Sequence, residues 1–298
     1  MMRKYFILII ASIALISSCE KNIDLDLPPI DQKVVVEGYV ENGLPPYVIL
    51  SKTEPYFDPI GQNTINNLPV RGALVYISNG LDTVQLTELD TSINGVSLGG
   101  FYVALDSITF LPTMIGTPGT TYSLNIITAA GEQLSSSALL PLPIPLDSTW
   151  FKVQEDLDSL GWAWARLSDP DTLGNAYRWF AKRLNKDDFF IAPIGSVFED
   201  RFINGRSFNF PYNRGEIQNS EAEEDKNEER GFYKKGDTIV VKFCTIDFAT
   251  YEFWRDAENQ VSSNGSPFAV PSNVKSNVKG GRGLFATYTA SFDTIIAN

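Results

Sequence analysis

The chain has 298 residues, a formal charge of −12, two cysteines and no histidine, with 43% hydrophobic and 12% aromatic residues. That much apolar material suffices for one large domain or two ordinary ones and excludes disorder throughout. An acidic balance with no basic tract excludes nucleic acid and electrostatic adhesion to anionic lipid, and the lack of histidine removes the commonest general base, the usual zinc ligand and the ordinary serine or cysteine triad.

Residues 1–18 read as a signal peptide, with Arg3 and Lys4 ahead of an apolar run over 5–16 that is too short to span a bilayer. The order Leu15-Ile16-Ser17-Ser18-Cys19 resembles a lipobox, in which the cysteine thiol takes diacylglycerol and becomes the N-terminus after cleavage. Cys19 is therefore the expected lipid attachment point. An ordinary secretory signal followed by a cysteine is the alternative. Residues 19–32 form an acidic tether containing Pro28-Pro29, and Asp24 and Asp26 fit a surface-export signal. With Cys19 acylated, Cys244 has no disulfide partner, and its alternating surroundings at 238–245 make it a small buried residue and not a nucleophile.

From residue 33 the pattern is one of strands. A β-branched run at 33–40, the turn dipeptide Asn42-Gly43 and a second run at 47–51 predict a hairpin. Further strands are predicted at 73–78, 82–87, 100–104 and 121–128, separated by Gly, Asn and Pro clusters. The spacing predicts an immunoglobulin-like β-sandwich over 33–140. Pro141, Pro143 and Pro145 favour a stiff extended backbone and mark the predicted domain boundary.

A second mainly-β domain is expected over 146–298, with strands at 148–153, 161–167, 176–184 and 237–245. One amphipathic helix is expected near 247–262, where Phe248, Tyr251, Trp254, Glu258 and Val261 recur at helical spacing behind Asp247 as cap, with Asn264-Gly265 to close it. Its aromatic stripe is expected to pack on a sheet. The run 221–230 carries six acids and reads as a solvated loop.

Few residues suggest chemistry. Trp162, Trp164 and Arg166 share one face of a predicted strand, with Ala163, Ala165 and Leu167 on the other. Neighbouring indoles suit stacking on a sugar or aromatic ligand; large aromatics set against small residues also fill sandwich cores, and the core reading is the simpler one. Asp156-Leu157-Asp158 and Asp169-Pro170-Asp171, each with a glycine three residues later, suggest half a calcium loop but lack the distal bidentate acid, so turns are expected. Gly280, Gly281 and Gly283 could cradle an anion, yet with no helix following they read as a strand entrance. No catalytic residue, metal ligand or cofactor site is assigned.

Several of these segments, taken in order, resemble one family. The start at Cys19 through Pro28, the strand at 33–38, the stretch 51–57, the runs 174–180 and 236–241, the helix at 246–254 and the segment 267–281 are similar to the domain of unknown function 4249 family of Bacteroidota. Arg282 departs from the small or apolar residue expected there. The resemblance implies a lipid-anchored, surface-exposed outer-membrane protein encoded beside a TonB-dependent receptor, with no established catalytic residue or cofactor. The function expected is that of a non-enzymatic accessory or ligand-capture partner of such a transporter. A carboxylate-dependent hydrolase of surface glycans and a structural subunit of an outer-membrane complex are the alternatives.

Overall fold

A computed structural model describes residues 31–54, 61–89, 92–93, 96–97, 99–216, 231–263 and 273–298. Cys19, the tether through residue 30, the acidic run at 221–230 and Asn264-Gly265 lie outside the described residues. Residues 32–298 form one compact unit. No helix among the described residues is long and apolar enough to cross a membrane.

The first part contains β1 (Val34–Glu41), β2 (Tyr47–Lys52), the short helix α1 (Gln62–Asn67), β3 (Leu74–Ser78), β4 (Thr83–Gln85), β5 (Thr87–Leu89), β6 (Ser92–Ile93), β7 (Val96–Ser97), β8 (Phe101–Val103), β9 (Thr120–Ile127) and β10 (Gln133–Leu140). The remainder contains β11 (Ser148–Val153), β12 (Leu160–Ser168), β13 (Ala176–Arg183), β14 (Val197–Glu199), β15 (Ser207–Tyr212), β16 (Tyr233–Lys234), β17 (Thr238–Ile246), the helix α2 (Phe248–Ser263) and β18 (Arg282–Ile296). The chain is mainly β, as its alternation predicts. The expected hairpin is β1–β2, turned at Gly43 with φ of +75°. The expected 82–87 strand is two: Leu86 bonds back to Val75 O while β4 and β5 join different sheets.

One eight-stranded sheet, in the order β14-β13-β17-β18-β1-β2-β8-β5, organises the molecule. Every neighbouring pair is antiparallel except β1 and β18, which run parallel. The first half of β18 pairs with β1 and the second half with β17, and Tyr288 is the handover, opposite both Glu41 and Ile246. Where β1 ends, the Asn42 side chain stands in for backbone by bonding Ala290 N at 2.6 Å and Ala290 O at 3.2 Å. The sheet thus runs unbroken across the boundary predicted at 141–145.

Strand alternation gives this sheet two faces. On one face the sheet β10-β9-β3-β4 covers β1 and β2, burying Val36, Val40, Val48 and Leu50 against Val75, Leu124 and Ile126. This two-layer packing is consistent with the expected sandwich, although Phe285 of β18 also enters its core. Beside it on the same face, β11-β12-β15 covers β13 and β17, with Ala163, Ala165 and Leu167 set against Trp179, Val241 and Phe243. Small residues on β12 leave room for the large rings of its neighbours, and each such ring contributes about 1.5–3 kcal/mol on burial. On the opposite face, Tyr251 and Trp254 of α2 cluster with Ala176, Leu284 and Ala286. Asp247 caps this helix through Thr250 N at 3.2 Å.

Candidate binding site

Among the described residues the face that carries α2 is only partly covered, and there the large sheet holds a hollow of about 520 Å3. Its side chains come from alternate strand positions: Tyr39 and Glu41 on β1, Tyr47 on β2, Arg178 and Phe180 on β13, Lys242 on β17 and Tyr288 on β18. Small neighbours on the same face, Cys244, Ala286 and Ala290, keep the sheet low between these larger groups. The 44–45 turn, Val103, Phe190 and Trp254 complete the walls. This volume falls within the range of small-molecule sites.

Arg178 is the most constrained polar group here, with only 5% of its surface exposed. A guanidinium so buried needs every donor and its charge compensated. Nε donates to Ser196 Oγ at 3.3 Å, Nη1 donates to the Tyr288 hydroxyl at 3.1 Å, and Nη2 stands 4.0 Å from Glu258. The guanidinium lies 3.6 Å from the Trp254 ring centre and 4.7 Å from that of Phe180. Glu258 itself accepts from Gly195 N at 2.8 Å, Ser196 N at 3.0 Å and Ser196 Oγ at 2.5 Å. Helix α2 therefore fixes the 195–196 loop and Arg178 together.

The Tyr288 oxygen receives a second donor, Trp254 Nε1 at 2.7 Å. Burial pushes its phenol up to about 12 against the pull of the Arg178 cation, so the hydroxyl keeps its proton at neutral pH. Across the hollow, Lys242 Nζ meets Glu41 Oε2 at 2.5 Å, each side chain 17% exposed. Glu41 is the single carboxylate among the lining residues. Tyr39 stacks on Tyr47 at 5.0 Å and on Tyr288 at 6.1 Å, and Tyr47 on Phe101 at 5.5 Å, so four rings cross four adjacent strands. Burial also raises the Tyr39 and Tyr47 phenols, keeping them protonated donors.

Trp162, Trp164 and Arg166 lie elsewhere. Their alternation is as expected, but Ala163, Ala165 and Leu167 take the core and the tryptophans occupy the outer face of the β11-β12-β15 sheet, half-buried. Core filling is therefore not their role: Trp179 and Phe243 supply that bulk from neighbouring strands. Trp164 stacks on Trp150 at 6.1 Å beneath Lys152, and Trp162 on Phe232 at 6.1 Å. Arg166 is exposed, 3.4 Å from Asn209 and 3.9 Å from Asp147. None of the three lines the hollow.

The Asp-rich turns behave as turns. Asp169 is buried, accepts the Tyr177 hydroxyl and Gly205 N, and its carboxyl is raised by that burial. Among the described residues no group of three or more acidic, cysteine or histidine side chains is placed to hold a metal ion. Cys244 is fully buried, which pushes its thiol up to about 12 and makes it inert. Tyr39, Tyr47, Val103, Arg178, Phe180, Lys242 and Trp254 sit in strands or the helix that the sequence marks, whereas Leu44, Pro45 and Phe190 lie in loops. One local signal points to the site: Arg178 is a charge in the middle of the aromatic strand 176–180, a position that burial makes costly unless it is fully partnered.

No curated protein matches the chain. A family model described as a domain of unknown function, DUF4249, matches residues 20–292, nearly the whole length, and the chain belongs to that family.

Proposed function

We propose that the protein is a non-enzymatic ligand-capture lipoprotein, anchored in the outer membrane through Cys19 and acting beside a TonB-dependent receptor. The hollow on the large sheet carries the capture half of this reading. It is concave, half of its lining residues are aromatic, and it is furnished with a few fixed polar groups, the combination expected of a small-molecule site. Its one carboxylate is already held by a lysine, whereas hydrolysis of glycans needs two acids flanking the bond to be cut. The anchor and the receptor rest on the lipobox and on the family resemblance.

Isolation of the membrane-anchored protein followed by mass spectrometry of its companions tests the reading. A TonB-dependent receptor recovered in stoichiometric amount is the expected result. A monodisperse, unpartnered protein from solubilised outer membrane contradicts it.

A further inference from the structure

We infer that the hollow takes a small organic anion, a carboxylate on a compact apolar body, whose oxygens meet the Tyr288 hydroxyl and the Lys242 ammonium; this rests on the ligand-capture reading. The argument is a balance of donors and acceptors. A phenol oxygen accepts two hydrogen bonds and donates one. Both accepting positions of Tyr288 are taken, by Arg178 Nη1 and Trp254 Nε1, and no acceptor among the described residues receives its proton. One of those two donors is a cation, which strengthens the remaining O–H as a donor. With only 5% of Tyr288 exposed, the cavity that it lines is the place for the missing acceptor.

Lys242 adds to the surplus. Its ammonium has three donors and Glu41 takes one of them. The carboxylates nearby are already engaged, Glu41 through Oε2 by Lys242, and Glu258 by Gly195 and Ser196. Two cations and one carboxylate line the hollow of a chain whose formal charge is −12. Glu258 stands against Arg178, and Glu37 acts on Tyr39 and Tyr47, so the preference for an anion rests on the unmet donors of Tyr288 and Lys242 and not on the net sign of the site.

The rings narrow the choice further. A sugar binds an aromatic wall through an open ring face. Here cations already lie over Trp254, Phe180 and Phe190, and Tyr39 stacks between Tyr47 and Tyr288. Rings stacked in a row offer their edges, which carry partial positive charge and attract acceptor oxygens. Flat stacking is therefore less well served than an acid group with an apolar remainder lying against Val103 and Pro45.

Ligand-observed NMR titrations of the full-length protein with benzoate, cyclohexanecarboxylate, benzamide, benzylammonium and methyl glucoside test this class. Both carboxylates should bind at least tenfold more tightly than benzamide, and weaken as salt is added. Tyr288→Phe should lower carboxylate affinity about tenfold. Because that change strips Arg178 and Trp254 of an acceptor, the neutral pair Lys242→Gln with Glu41→Gln serves as a second variant, checked by thermal melting, and should lower carboxylate affinity by a similar factor. Benzamide, benzylammonium or methyl glucoside binding as tightly as benzoate overturns the anion assignment and leaves ligand capture standing. Failure of every probe, charged or neutral, overturns the assignment and counts against the capture reading with it.

Discussion

Strand β13 buries two guanidiniums, and each is compensated in a different way. Arg178 is held by rings and hydroxyls at the hollow. Arg183, on the opposite face, meets a carboxylate: its Nη2 lies 2.8 Å from Asp187 Oδ1, and the two side chains are 9% and 8% exposed. Removing the acid strips a buried guanidinium of the carboxylate that it meets at 2.8 Å, so Asp187→Ala is expected to cost about 3–5 kcal/mol in urea unfolding. Burial works against ionisation of Asp187, but the Arg183 hydrogen bonds outweigh it and its carboxyl sits below the ordinary 3.8. A lowered carboxyl contributes stability above its unfolded value and loses it as pH falls through the folded one. Wild type should therefore lose stability on acidification below 3.8 more steeply than Asp187→Asn does, as measured by urea midpoints across that range. A parallel pH dependence in the two proteins would contradict the pairing.

Cys244 gives a second test at this scale. Its burial predicts that Cys244 does not react with an alkylating reagent in the native state and does so after unfolding, and the proposed acylation of Cys19 predicts that it is the single thiol to react. Two reactive thiols in the unfolded protein would place Cys19 among the free cysteines and remove the lipid anchor.

The element that holds the molecule together is β18, fifteen residues long and bound to β1 along its first half and β17 along its second. Gly283 makes this possible. Its φ is +109°, and a Cβ there would lie 2.0 Å from Val36 O on the neighbouring strand. Gly283→Ala combines strain with a clash against backbone that cannot retreat, so a loss of at least about 2 kcal/mol is expected, read as a lowered melting temperature. An unchanged melting temperature would mean that the parallel pair is not as close as described. This glycine also bears on what the sequence reveals. The strand-entrance reading of 280–283 holds, and so do most strands whose apolar residues alternate with polar ones. The β10 strand is disguised because Ser135, Ser136 and Ser137 interrupt its apolar pattern, although Leu134, Ala138 and Leu140 all face the core. The parallel pairing of β1 with β18 has no local signature at all, since it joins segments from opposite ends of the chain.

At the scale of the whole molecule, the same long-range pairing explains why the hollow cannot be read from sequence. Tyr39, Arg178, Lys242 and Tyr288 are each an ordinary alternate residue of a strand, and only the order β13-β17-β18-β1-β2 brings them together. Trp162 and Trp164 attract notice because two indoles stand close in sequence; the ring assembly at the hollow is larger but is drawn from separate strands. The most direct test of the central claim is native mass spectrometry of the full-length protein purified from its own membrane, compared with Tyr47→Ala and with Lys242→Gln. The account predicts a small-molecule adduct on the wild-type protein that both variants lose. Bare mass in all three proteins, or an adduct that both variants keep, would contradict it.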